Sequence, residues 1–218
     1  MRSQTKTTGN KNRSNTSGKT GVSKNSAQNS QKNKTSKSTG SKPQKTLDDL
    51  FEEGLKDIYD AEKQLLESLP KMAEAVQNEE LRDIIDMHLE ETVKHAERLE
   101  KIMERMEYNK NDKETCEAMK GLIEETERII RDFDESPVRD SALIICAQKI
   151  EHYEIASYGS LRELADVLGY YRIGEMLDRT LEEEEEADKV LSSIAMDIND
   201  EACEIGKTED KKEELEYA

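Results

Sequence analysis

Apolar side chains recur along residues 47–198 at steps that alternate between three and four, and this spacing commits the chain to long amphipathic helices. The first line reads Leu47, Phe51, Leu55 (or Gly54), Ile58, Leu65, Leu69, Met72 and Val76. Thr46 is placed to cap it, and Pro70 is expected to kink it or to end a first segment. A second line starts near Glu79 and reads Leu81, Ile84/Ile85, Leu99, Ile102 and Met106, before polar residues 108–113 break the pattern. A shorter helix capped by Thr115 carries Met119, Leu122, Ile123, Ile129, Ile130 and Phe133. Ser136-Pro137 opens a third long helix through Leu143, Ala147, Ile150, Tyr158, Leu161 and Leu168, with Gly169 as its stop. The fourth reads Ile173, Leu177, Leu181, Leu191, Ile194 and Ile198, and the polar residues after about Asp200 are expected to fray. Only three Pro and ten Gly punctuate the chain, which argues against a β fold. The expected fold is all-α, a four-helix bundle with a short additional crossover helix between helices 2 and 3.

Charge divides the chain. Residues 1–45 carry 11 of the 33 Lys+Arg and no acid, so residues 46–218 hold the other 22 cations with all 50 acids, a net −28. The tail is Ser, Thr, Asn, Gln, Gly and Lys, which cannot bury enough apolar surface to offset ordering entropy, and it is expected to be disordered. The expected division is a basic tail over 1–45, a bundle domain over 46–200 and a polar C-terminal tail over 201–218. No window offers the roughly 20 consecutive apolar residues of a membrane span. No apolar segment near the N-terminus reads as a secretory signal. Cys116, Cys146 and Cys203 have no CxxC spacing and cannot all pair, which points to a reducing, cytoplasmic location.

Each apolar line has gaps, and every gap holds an ionisable residue. Glu62 stands between Ile58 and Leu65. His88, Glu91 and His95 lie between Ile84 and Leu99. Glu151 and Glu154 lie beside Ile150 and Tyr158, and Glu184 and Asp188 lie between Leu181 and Leu191. All fall near mid-helix, so antiparallel packing brings them to one level. Buried unpaired carboxylates cost several kcal/mol each and repel one another. The inward lines show no Lys or Arg at that level, which leaves metal cations. Six carboxylates against two divalent or trivalent ions approach neutrality, and carboxylates with one or two imidazoles suit iron or manganese. His95 reads as a ligand, and His88 as a packing or hydrogen-bonding partner beside the ligands. Tyr59, Tyr153 and Tyr158 read as core residues close to the site. Glu90, Glu182, Glu183, Glu185 and Glu186 read as a solvated face, His152 as exposed, and Cys116 and Cys146 as small buried apolar groups.

The strings TLDDLFEEGLKDIYDAEKQLLESLPKMAEA (46–75), HLEETVKHAERLE (88–100), CEAMKGLIEE (116–125), VRDSALIICAQKIEHYEIASYGSLRELADVLGY (138–170) and TLEEEEEADKVLSSIA (180–195) resemble the YciF-like stress-protein family of the ferritin-like superfamily. The resemblance covers about residues 46–198. It implies a ferritin-like four-helix bundle, a homodimer, and a dinuclear metal site, two iron ions, in a protein of bacterial stress responses. Position by position it implies Glu62, Glu91, Glu151, Glu154, Glu184 and Asp188 as ligands. Two departures stand out. The position of His95 also takes Gln in relatives, and the Glu-x-x-His of other ferritin-like proteins is replaced by Glu91-x-x-Lys94 and Glu184-x-x-Ala187.

Three functional classes follow. One is a di-iron redox protein that reacts with peroxide or dioxygen and oxidises Fe(II). The second is a dimanganese, catalase-like activity at the same residues. The third is a non-catalytic acidic scaffold whose basic tail contacts nucleic acid non-specifically; without aromatics in residues 1–45, such contact is electrostatic and salt-sensitive.

Overall fold

A computed structural model describes residues 44–109 and 115–216, with side chains to 205. The expectations for residues 1–43, a disordered tail touching nucleic acid, lie outside the described residues.

Five helices follow one another: α1 (Leu47–Ala75), α2 (Glu79–Met106), α3 (Glu117–Asp132), α4 (Pro137–Leu168) and α5 (Tyr171–Glu216). Two hairpins, α1/α2 and α4/α5, pack against each other through α1 on α4 and α2 on α5. The chain crosses between them by way of α3, which lies against α1 and α4. This is the ferritin-like bundle, and no described helix is long and apolar enough to cross a membrane.

The helix ends follow from local chemistry. Thr46 and Asp49 form a reciprocal capping box at the start of α1. Ser136 accepts from the Arg139 amide ahead of Pro137, and Gly169 ends α4 at φ 82°, the left-handed region that spares glycine a Cβ clash. The short helix is capped by Cys116, whose sulfur accepts from the Met119 amide, rather than by the neighbouring Thr115. Pro70 neither ends nor interrupts α1, because its ring lies on the exposed side, where water can satisfy the carbonyl left without an amide. The last helix likewise runs beyond Asp200 to Glu216; no Pro stops it, and Glu, Lys and Ala sustain it.

Inside the bundle, two apolar layers flank a polar belt. One holds Phe51, Leu55, Ile58, Leu99, Ile102, Tyr158, Leu161 and Leu177; the other holds Leu69, Met72, Leu81, Ile85, Leu143, Ile150, Leu191 and Ile194, all buried. In the first, α1 and α4 approach so closely that a Cβ on Gly54 would sit 2.9 Å from the Leu161 side chain.

A buried carboxylate ties the hairpins together at the far end of α4. Asp140, 1% exposed, accepts from the amides of Gln77 (3.0 Å) and Asn78 (2.8 Å), the N–H groups at the α1–α2 turn. Asp140→Ala takes the carboxylate acceptor from both amides and is expected to cost about 1–2 kcal/mol, read as a lower urea midpoint at unchanged m.

Candidate metal centre

The belt is made of the residues that interrupt the apolar lines. Glu62 comes from α1, His88 and His95 from α2, Glu151 and Glu154 from α4, and Glu184 from α5. Glu62, His95, Glu154 and Glu184 are 0% exposed, Glu151 2% and His88 5%. Their donor atoms form two groups that share one carboxylate. His88, Glu151, Glu154 and Glu184 make one; Glu62, His95 and Glu184 make the other, with the atoms of each group within 4.8 Å of one another. His95 Nδ1 lies 2.9 Å from Glu184 Oε1 and 3.8 Å from Glu62 Oε1. His88 Nε2 lies 3.6 Å from Glu151 and 3.8 Å from Glu154, and its Nδ1 lies 3.9 Å from Glu184.

These atoms converge without bonding to one another. Both oxygens of Glu154 and of Glu184, one each of Glu62 and Glu151, and three of the four imidazole nitrogens lack a hydrogen-bond partner. Even the short His95–Glu184 approach lies off hydrogen-bond geometry. Unpartnered polar atoms at zero exposure are costly, and a cation between them is the economical remedy. Four carboxylates carry −4, which two divalent ions cancel. The donor set of carboxylate oxygen and imidazole nitrogen, without thiolate, fits metal ions, each group drawing on three of the long helices and the two groups together on all four.

Without a cation, Glu62, Glu151 and Glu154 hold their protons to higher pH than ordinary carboxyls. Burial raises Glu62 to about 8, with Glu184 adding to the rise while His95 and the Tyr158 hydroxyl oppose it. Burial first, and Glu184 second, hold Glu151 and Glu154 well above the usual carboxylate range. Burial pushes the His88 imidazole down. Burial also presses on His95, but Glu184, Glu62 and Glu183 outweigh it and the ring titrates higher than usual.

The remaining expected site residues lie around this belt. Glu91 is half-buried and outside both groups, because the inward line of α2 runs Ile85, His88, Thr92, His95, Leu99 and gives the middle position to Thr92. Its carboxyl is raised by burial, and it still feels His95 and Glu184. Asp188 turns to α4, 3.2 Å from the exposed His152 and accepting from Gln148. Tyr158 donates to Glu62 from the fully buried core. Tyr59 donates instead to Glu100 at 2.5 Å. His88, expected as a packing or hydrogen-bonding partner, stands inside one of the two donor groups.

Glu183, expected on a solvated face, and Arg98, absent from the inward lines, both reach the site. Glu183 lies 3.0 Å from His95 Nε2 and accepts from Arg98 at 2.8 Å and from Arg179 at 3.2 Å. An anchored carboxylate at Nε2 keeps the proton there and leaves Nδ1 facing Glu184 and Glu62. Arg98, one turn beyond His95, also donates to Thr180, and its charge lowers the Glu62 carboxyl slightly. A cation therefore does stand at the edge of the belt, but it is engaged by Glu183 and leaves the inner carboxylates uncompensated. Cys116 is buried as expected, yet it is also polar: its sulfur lies 2.9 Å from the Tyr153 hydroxyl, which donates to Asp57 at 2.7 Å.

Comparison with known proteins agrees with this geometry. The chain belongs to the YciF-like family, whose pattern, described as a domain of unknown function (DUF892), matches residues 46–204. Protein YciF of Escherichia coli is 46% identical over 152 residues, 70% of this chain and 92% of that one. The crystal structure of the E. coli stress protein YciF superposes with a TM-score of 0.69 at 44% identity, over 72% of this chain and 99% of that one. YcfI of Rhodopseudomonas palustris gives 0.66 at 38% identity, over 70% and 97%. A Xanthomonas campestris protein at 20% identity and TM-score 0.60, over 74% and 99%, shares the fold.

Two outcomes check the electrostatics. In the metal-free protein the folded state holds protons that the unfolded chain has released between about pH 4.5 and 8. Stability then falls as pH rises through that window, by up to about 1.4 kcal/mol per unit for each such carboxyl; denaturant titrations at pH 5 and pH 8 measure it. Glu183→Gln is expected to weaken metal binding about 10- to 100-fold in a competition assay, with the fold unchanged by circular dichroism.

Proposed function

We propose that the belt holds two iron ions, with manganese the alternative, and that the protein reacts with peroxide or dioxygen as Fe(II) is oxidised. The observation that carries this reading is the set of four buried carboxylates and two buried imidazoles that converge from four helices with their donor atoms unpartnered. Glu62, His95 and Glu184 would hold one ion, and His88, Glu151, Glu154 and Glu184 the other, with Glu184 common to both. When bound, a pair of ferrous ions supplies the two electrons that cleavage of a peroxide O–O bond takes up. The chain's own groups do the rest. Tyr158 donates its hydroxyl proton to the Glu62 carboxylate, Glu183 and Arg98 fix the His95 ring, and the flanking apolar layers close the belt above and below. A homodimer in the cytoplasm, with a part in stress responses as for the E. coli protein described as a stress protein, completes the reading.

The test is reconstitution. Metal-free protein given Fe(II) anaerobically is expected to retain two ions per chain and, on exposure to peroxide or air, to develop the near-ultraviolet band of an oxo-bridged ferric pair. Glu184→Ala removes the shared ligand and is expected to reduce retained iron to less than one per chain. Failure of the parent protein to retain iron would end this reading.

A further inference from the structure

One side of the belt opens to the surface. A cavity of about 390 Å³ lies between α2 and α5 and ends on His88 and Glu151. Its size is some thirteen times the roughly 30 Å³ that a water molecule occupies in the liquid, far more than dioxygen or hydrogen peroxide requires. It falls instead at the lower end of the range for organic ligands, about 300–1,000 Å³. Its wall is hydrocarbon and thioether, with Met72, Ile84, Met87, Ile150, Val190 and Leu191 contributed by all four long helices. Met87 is 50% exposed at the mouth, whereas Met72, Ile150 and Leu191 deeper in are at most 2% exposed. His88 and Glu151 form the floor. The mouth carries the exposed acids Glu182 and Glu186, the half-buried Glu91 and Glu183 also line the cavity, and Arg179, the one cation lining it, is already engaged by Glu183.

We infer that this cavity binds an uncharged, largely aliphatic molecule with one oxygen-bearing end, seated with that end at His88 and Glu151. Each element of the class has a physical source. The hydrocarbon wall favours a chain of methylenes, each contributing about 0.8 kcal/mol on burial. The Glu151 carboxyl at the floor, beside the His88 ring, offers a hydrogen bond to a hydroxyl or hydroperoxyl group. The acidic mouth repels a carboxylate head, and this excludes fatty acid anions in favour of neutral molecules. This inference rests on the proposed function only for what happens after binding; on that reading the substrate class is an alkyl hydroperoxide rather than hydrogen peroxide itself. Seating the molecule requires no metal.

The probes are 1-octanol and octanoate, titrated into the full chain with ¹³C-methyl methionine, metal-free and zinc-loaded. Octanol is expected to shift the Met72 and Met87 methyl signals saturably, leaving that of Met103, buried in the opposite layer, in place. Octanoate is expected to bind at least about tenfold more weakly. The double variant Glu182→Lys, Glu186→Lys changes only exposed side chains and is expected to bring octanoate close to octanol. Val190→Trp fills the cavity and is expected to abolish the octanol shifts. No saturable shift with octanol, or equal binding of octanol and octanoate by the parent protein, overturns the inference. So does a cavity closed by a second copy, seen as a dimer that Val190→Trp dissociates and that octanol leaves unshifted. Octanol binding without iron retention would remove the redox reading and leave this site standing; iron retention without octanol binding would do the reverse.

Discussion

Carboxylates that cannot reach water and cannot pair with one another govern this bundle. Hydrocarbon layers on either side of the belt supply the packing, and they also create the dry environment that makes four acids at one level so unfavourable. A chain of this kind has few ways to keep such a belt. Protonation is one, and the raised carboxyls of Glu62, Glu151 and Glu154 describe it. Cations are the other, and they compete directly with protons for the same oxygens. The belt could take up either remedy without rearranging its helices, because its residues occupy ordinary inward positions of ordinary amphipathic helices.

Control of the imidazoles shows how much of a site lies outside its ligands. His95 would be free to turn if only Glu184 and Glu62 faced it. Glu183 on its other nitrogen, itself held by Arg98 and Arg179, removes that freedom. The run of five glutamates in α5 is thus divided by helical geometry into unlike roles: Glu184 points inward, Glu183 steadies a neighbour, and Glu182 and Glu186 face solvent at the cavity mouth.

Much of this was legible in the sequence because helical periodicity is a strong signal. The three-and-four spacing located every long helix, the inserted short one, and the caps at Thr46, Ser136 and Gly169. The same spacing located Glu62, His95, Glu151, Glu154 and Glu184. Periodicity is ambiguous by one position in two places. Glu91 and Thr92 both fit the line of α2, and Thr92 takes the inward place; Asp188 and Ala187 present the same choice in α5. A histidine on an apolar face reads most simply as a packed core residue, so spacing alone does not bring His88 into the donor set. Glu183 and Arg98 were hidden by their own length: each starts at the edge of its helix and reaches to the other, a contact between helices that no single-helix pattern records. The 390 Å³ cavity was likewise invisible, since it depends on how far α2 stands from α5 rather than on what either carries.

The two hairpins divide the belt evenly. α1 and α2 bring Glu62, His88 and His95, whereas α4 and α5 bring Glu151, Glu154 and Glu184, and the only covalent link between them is the crossover through α3. Neither half of the sequence therefore owns a complete coordination sphere. An ion captured there would work as a rivet between segments that are distant along the chain, and assembly of the centre would report that both hairpins have formed and docked in register.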